Sequence, residues 1–116
     1  SLPAIRASGT SSTEIFRLNK ILKFEGMAGL KKRIRNYGPD LEAKGRAHVV
    51  GLESAGSGRV WLHEPDMRAG GLPTDVARTG LSRENSIIGG QAPSIARQVL
   101  SMPNDVTKLK SVLEII

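Results

Sequence analysis

The chain contains no cysteine among its 116 residues. That excludes a disulfide framework, a thiolate nucleophile and a Cys-ligated zinc site. Aromatic residues make up only 3% of the chain, so the core must be built from Leu, Ile, Val and Ala. Few alternating Val/Thr/Tyr runs are present, which argues against a sandwich or barrel. With two His and one Tyr, proton transfer has few possible actors. No apolar run approaches the roughly 20 residues that span a bilayer, and no signal peptide is visible. No membrane partner is therefore expected. An initiator Met is also missing: the chain begins Ser1-Leu2-Pro3 and is expected to be cut from something longer. Its length suits one domain with one modest core.

What is present is lopsided charge. Residues 1–60 hold eleven Lys/Arg against five Asp/Glu, whereas residues 61–116 hold six of each. The whole formal charge of +6 thus belongs to the first half, centred on Lys31-Lys32-Arg33-Ile34-Arg35. A basic half beside a neutral half carrying polar loops is what a phosphate-gripping surface next to a reaction site would look like. The pI near 10.2 points to a polyanionic partner without separating DNA from RNA or an acidic protein. A single basic run is often only a solvated helix face.

Residues 1–12 are rich in Ser, Gly, Thr and Pro and read as a linker or loosely held arm, leaving 13–116 as the domain. Ser11-Ser12-Thr13-Glu14 resembles a capping box. Ile15, Leu18, Ile21 and Leu22 then share a helical face, Gly26 interrupts, and Met27, Leu30, Ile34 and Tyr37 continue. The stop is Asn36-Tyr37-Gly38-Pro39, with Gly38 expected as a left-handed cap. Pro39 to Ser54 fits a helix, although Ala47 to Leu52 fits a short strand equally well. Arg59 to His63 is too short to type. From Glu64 to Asn85 the spacing predicts loop, with one helical turn at Thr74 to Arg78. Pro93 to Met102 reads as a helix, and Val106, Leu109, Leu113 and Ile116 as the stripe of another. The expected architecture is mainly α: a small single-domain helical bundle with a long polar glycine-rich loop region and room for one short hairpin.

Two polar glycine clusters carry the candidate chemistry. The first is Trp61-Leu62-His63-Glu64-Pro65-Asp66-Met67-Arg68-Ala69-Gly70-Gly71, the second Asn85-Ser86-Ile87-Ile88-Gly89-Gly90-Gln91. His63 is suited to act as general base or, through a neutral nitrogen, to ligate a divalent metal. Asp66 is suited to orient that imidazole or hold hydrated magnesium. On a helical turn the two would project together, with Pro65 compatible only with its first turn. Gly70 and Gly71, like Gly89 and Gly90, would let backbone approach a phosphate. Arg68 and Arg83 would neutralise charge on a phosphorane-like transition state. The blander readings weigh against each: H-x-x-D alone is weak, glycine pairs punctuate turns, and His48 among Ala47, Val49 and Val50 reads as buried. Glu53 and Glu64 read as extra metal ligands or solvated surface, and Trp61, between Val60 and Leu62, as core.

The run from Leu62 to Gln91 resembles the signature of the polymorphic toxin type 15 family, the H-x-x-D nuclease toxins at the C-termini of bacterial secreted effectors. The resemblance lies in His63-Glu64-Pro65-Asp66, Ala69-Gly70-Gly71, Pro73-Thr74-Asp75, Gly80 and Asn85-Ser86-Ile87-Ile88-Gly89-Gly90-Gln91. It departs at Gly80-Leu81-Ser82-Arg83-Glu84, where Gly-Asp is common, and at Ala92-Pro93, where a tryptophan commonly follows the glutamine. The resemblance implies a mostly helical, metal-assisted DNase domain that uses magnesium and is secreted or delivered into the cytoplasm of a rival bacterium. A dedicated immunity protein, acidic to match the basic domain, would neutralise it in the producing cell. It places catalysis and metal binding at His63 and Asp66. Gly70, Gly71, Asn85, Ser86, Gly89 and Gln91 would form the supporting loop, and Lys31, Lys32, Arg33, Arg35, Arg68 and Arg83 the nucleic-acid contacts. Two alternatives stay open: a metal-independent toxin cleaving tRNA with His63 or His48 as base, and a non-enzymatic, ribosome-associated nucleic-acid-binding protein.

Overall fold

The computed structural model describes residues 4–7 and 12–113. Helix α1 (Ser12–Arg35) forms where the apolar spacing predicts it, but as two rods. Gly26 has φ 74 and ψ 174, outside helical geometry, so the chain kinks there. Only glycine adopts such a φ without a Cβ penalty. The kink resets the helical phase, so that Ile15, Leu18 and Leu22 before it and Met27, Leu30 and Ile34 after it are all buried. Helix α2 (Pro39–Val50) follows with Pro39 in its first turn. Gly38 is extended (φ −176), not the left-handed cap expected of it.

The stretch 59–81 forms a hairpin with an unusually long connection. Strand β2 (Arg59–His63) pairs antiparallel with β3 (Val76–Leu81). The twelve residues between them contain a short 3-10 turn, Met67–Ala69. Thr74 to Arg78, expected as a helical turn, is instead the approach to β3 and its first residues, because the β2 backbone offers Val76 and Arg78 to Leu81 ladder partners on either side of one bulge.

Helix α3 (Ser82–Leu100) begins far earlier than the sequence suggests and takes in the second glycine cluster. Asn85 to Gln91 is therefore helix and not loop. Gly89 and Gly90 each disfavour helix by about 1 kcal/mol relative to Ala, and Pro93 lacks the N–H that would reach Gly89. Burial of Ala92, Ile95, Ala96 and Val99 along one face outweighs these local penalties; each large aliphatic contributes about 1.5–3 kcal/mol.

The final segment departs from expectation as well. Val106 to Leu113 is not helical; strand β4 (Lys110–Leu113) pairs in parallel with β1 (Ala4–Ala7), a strand inside the segment read as an arm. Two side chains from α1 explain the extended path. The Asn19 amide donates to the Leu109 carbonyl (3.0 Å) and accepts its N–H (2.8 Å), acting as a surrogate strand. The Lys31 ammonium donates to the Met102 carbonyl and to Asn104 Oδ1 (2.8 Å). Ile116, the end of the expected stripe, and Ser11 of the expected capping box lie outside the described residues. The core joins Ile5, the buried face of α1, Ala69, the buried face of α3 and Leu109. It is aliphatic, as the scarcity of aromatics requires: Phe16 and Phe24 are exposed.

Candidate functional site

The hairpin connection is tied down residue by residue. A bulge lies between Leu62 and His63 as β2 ends, and bulges re-aim side chains at strand ends. The Glu64–Pro65 peptide is cis. Asp66 then caps the 3-10 turn: its Oδ1 accepts the Arg68 N–H (2.9 Å), and its carbonyl accepts those of Ala69 (2.9 Å) and Gly71 (3.0 Å). Asp75 closes the loop, its carboxylate accepting the Leu72 N–H (2.7 Å) and its carbonyl the Glu64 N–H (3.0 Å). His63 and Asp66 thus meet through a capped turn and not through a shared helical face.

Gly70 and Gly71 serve this packing rather than phosphate approach, and both are buried. Gly70 has φ 107, and a Cβ there would lie 2.7 Å from Leu30 Cδ1 on α1; one at Gly71 would collide with the Pro65 carbonyl. Arg33 donates to the Gly70 carbonyl (3.3 Å) and pairs with Glu25 and Asp75.

From the other side, Glu14 reaches in from the first turn of α1. It is 3% exposed, and its Oε1 accepts the Asp66 N–H at 3.2 Å. Burial pushes its carboxyl up to about 7, against the lowering effect of that hydrogen bond. Burial likewise raises the Asp66 carboxyl, offset by the Arg68 N–H and guanidinium.

These contacts present one wall of an open cavity of about 390 Å³. His63, Asp66, Met67 and Arg68 line that wall, Glu42, Gly45, Arg46, Val49 and Val50 of α2 line the opposite one, and Trp61, Asn85 and Gly89 complete it. His63 Nε2 lies 3.0 Å from the Pro73 carbonyl. A carbonyl only accepts, so Nε2 carries the proton in the neutral ring and Nδ1 keeps the lone pair. Asp66 Oδ2 makes no hydrogen bond among the described residues. A Cβ at Gly89 would sit 3.4 Å from Arg68 Nη1 and 3.9 Å from Asp66 Oδ2; its absence leaves both groups open to the cavity.

The expected site residues divide. His63, Asp66, Arg68, Asn85 and Gly89 converge on the cavity. Ser86 is exposed and bonds the Ser82 carbonyl (3.1 Å); Gln91 is half-buried, and neither lines the cavity. Arg83 is exposed at the start of α3, outside the lining. Of the basic run, Lys31 is buried and Arg33 half-buried in internal contacts, so that only Lys32 and Arg35 stand exposed. His48 is half-buried outside the lining. Glu64 is not the solvated surface residue of the blander reading: it is buried and paired with Arg78 Nε at 2.6 Å. Trp61 is no core residue; it is partly exposed, and its indole N–H donates to the Glu53 carbonyl (2.7 Å).

Sequence reasoning points to no site role for Glu42, Arg46 or Glu14, the last of which it reads only as part of a capping box. A signal for the first two exists in Gly45, a glycine inside a helix. A Cβ there would lie 2.5 Å from Met67 Cε and 3.3 Å from His63 Nε2, so its absence lets α2 approach the motif turn. Glu14 carried no comparable signal, because its partner lies 52 positions away.

The family model for Novel toxin 15 matches residues 17–110. No curated protein and no solved structure matches the chain. Glu14 lies just before the matched span, whereas every residue lining the cavity falls inside it. Matched over most of its length, the chain belongs to the Novel toxin 15 family.

Proposed function

We propose that this toxin domain is a nuclease that hydrolyses phosphodiester bonds in the DNA of a target bacterium, with His63 as general base. The observation that carries the reading is the convergence of His63, Asp66, Arg46, Arg68 and Asn85 on one open cavity, with Gly89 leaving the approach bare. His63 has one free nitrogen, so it serves as base or as metal ligand but not both. We assign Nδ1 to taking a proton from the attacking water, while the Pro73 carbonyl holds the Nε2 proton and fixes the ring. His63 in turn acts to lower the Asp66 carboxyl, against the burial that raises it. Arg68 and Arg46 meet the charge that develops on the phosphate oxygens.

The donor set suits a hydrated divalent ion and not a caged one. Among the described residues no cluster of three His, Cys, Asp or Glu is present, yet Asp66 offers an open Oδ2. Magnesium is commonly held by one or two carboxylates, water and substrate phosphates. The charged lining sets Glu42 and Asp66 against Arg46 and Arg68, so it carries no surplus for an arriving phosphate. Magnesium bound at Asp66 would supply that surplus and polarise the phosphate.

A toxin of this kind needs a cognate immunity protein in the producing cell, and the net charge of +6 favours an acidic one, mainly through association rate. Incubating the purified chain with plasmid DNA and with tRNA, each in magnesium or in EDTA, tests the activity. Plasmid loss in magnesium alone is the expected result. Loss of tRNA in EDTA would replace this reading with a metal-free ribonuclease, and intact substrates in every tube would remove the nuclease reading.

A further inference from the structure

A second cavity, of about 420 Å³, adjoins the first and shares Val49, Val50 and Trp61 with it. Its floor continues through Leu52, Ala55 and Val60. Val50 is 84% exposed on this shelf, although burial would favour an isolated valine. The only polar atom of the Trp61 side chain is already bonded to the Glu53 carbonyl. What the ring offers a ligand is therefore apolar surface, held in place by that bond.

Cations stand at both ends of the shelf. Arg46 lies on the side of the first cavity. Arg59 lines the second, with its guanidinium held by Thr79 Oγ1 and the Thr79 carbonyl, each at 3.2 Å, and without an ion pair among the described residues. A positive group, an aromatic ring with apolar neighbours, and a second positive group match the alternation of phosphate, base and phosphate along one strand. An apolar peptide segment would not use the two guanidiniums, and a simple anion would not use the ring.

We propose that Trp61 is the stacking platform of a nucleobase subsite, taking the unpaired base next to the phosphate bound at His63 and Asp66, with the following phosphate at Arg59. The inference rests on the nuclease reading of the neighbouring cavity. A base inside a duplex has both faces covered by its neighbours, so the subsite takes single-stranded, frayed or flipped nucleotides. The domain should consequently bind single strands in preference to duplex of equal length.

Trp61 is the chain's single tryptophan, so its fluorescence reports on this subsite directly. The His63→Ala chain, which spares the substrate, is titrated with short oligothymidylate, with its duplex, and with inorganic polyphosphate. Saturable quenching by the single strand, weaker quenching by duplex and none by polyphosphate are expected. Trp61→Leu should weaken single-strand binding, read by anisotropy of a labelled strand, about tenfold, whereas Trp61→Phe, which keeps a ring, should retain most of it. Both replacements are apolar, so a merely structural role would not separate them. If the wild-type chain cleaves DNA while the Leu and Phe variants bind alike, or if polyphosphate quenches as strongly as oligothymidylate, the subsite is overturned and the nuclease reading stands. Single-strand binding that depends on the ring, without any cleavage, supports the subsite and removes the nuclease reading. Absence of both cleavage and binding overturns the two together.

Discussion

On one side of the cavity the segment from His63 to Gly71 is pinned by Glu14, by Arg33, by Asp75 and by its own capped turn. On the other side α2 has a single buried residue, Gly45, and shows solvent Arg46, at 67% side-chain exposure, and Val50. Both walls face the same space, yet one is clamped into the core and the other leans on it through Met67. Local stability follows buried apolar contact, so α2 should open at lower free energy than the motif turn. Under the proposed nuclease reading, such a division suits reacting groups that need fixed positions and a long polymer that must enter from the side.

The largest effect should come from the clamped wall. His63→Ala and Asp66→Asn should each lower plasmid cleavage by ~10²–10⁴, with circular dichroism and thermal midpoint near those of the unsubstituted chain. The Asn replacement keeps an oxygen for the Arg68 N–H, so loss of activity reports the lost charge and not the lost cap. Near-normal cleavage by either folded variant would detach the reaction from this wall.

Next come two glycines that test the difference directly. Gly70→Ala places a Cβ at φ 107 and against Leu30 in the core, and should cost about 2–4 kcal/mol of unfolding free energy. Gly45→Ala also meets an obstacle, but it is the flexible end of Met67, and the alanine gains about 1 kcal/mol in helix propensity. Its stability should change by no more than about 1 kcal/mol, while the shift of Met67 beside His63 lowers cleavage. Urea unfolding of the two variants side by side measures this. Equal destabilisation would mean that α2 is as firmly packed as the motif turn.

Some of this contrast could be read from sequence, and some could not. The His63–Gly71 run announced itself because reactive and turn-forming residues coincide within a few positions. The kink at Gly26 and the stop before Pro39 were legible for the same reason: each depends on local backbone preference. The first half of α3 is not legible in sequence, because Gly89, Gly90 and Pro93 oppose helix locally and only its packing outweighs them. The spacing of Val106, Leu109 and Leu113 imitates a helix, but Asn19 and Lys31, distant by 90 and 71 positions, hold that segment extended. The apolar neighbours of Trp61 suggest a core residue, but they say nothing of an α2 wall too thinly packed to cover it.

Glu14 sharpens the comparison through pH. Its carboxyl is raised from 4.5 to about 7 in the folded chain, so the folded state binds the proton more tightly than the unfolded one. The resulting stabilisation is fully present below pH 4.5 and is lost as pH rises through about 7. The span corresponds to about 3 kcal/mol as an order of magnitude. Asp66, also raised, acts in the same direction. Glu14→Gln keeps an oxygen for the Asp66 N–H and removes the titration. Relative to the unsubstituted chain it should be more stable at pH 8 and gain less, or lose, at pH 5, as measured by urea unfolding at both. A difference that does not change with pH would mean that Glu14 is not the clamp's titrating group.

The smallest effect belongs to the basic run, where the clamp separates four cations that look equivalent in sequence. Lys32 and Arg35 are exposed, whereas Lys31 and Arg33 hold the C-terminal segment and the Gly70 turn. Each phosphate contact contributes about 0.9 to the salt dependence of duplex binding, so Lys32→Gln with Arg35→Gln should flatten the log–log slope by up to about 2 and leave unfolding unchanged. Lys31→Gln should do the reverse. It loses the charge that satisfies the Met102 carbonyl and Asn104 in a buried position, costing about 1–3 kcal/mol of stability, with the slope preserved. Anisotropy titrations of labelled duplex across a salt series, paired with urea unfolding, separate the two. If Lys31→Gln flattens the slope as much as Lys32→Gln does, the buried lysine reaches the nucleic acid after all, and the α1 clamp is then part of the binding surface rather than its support.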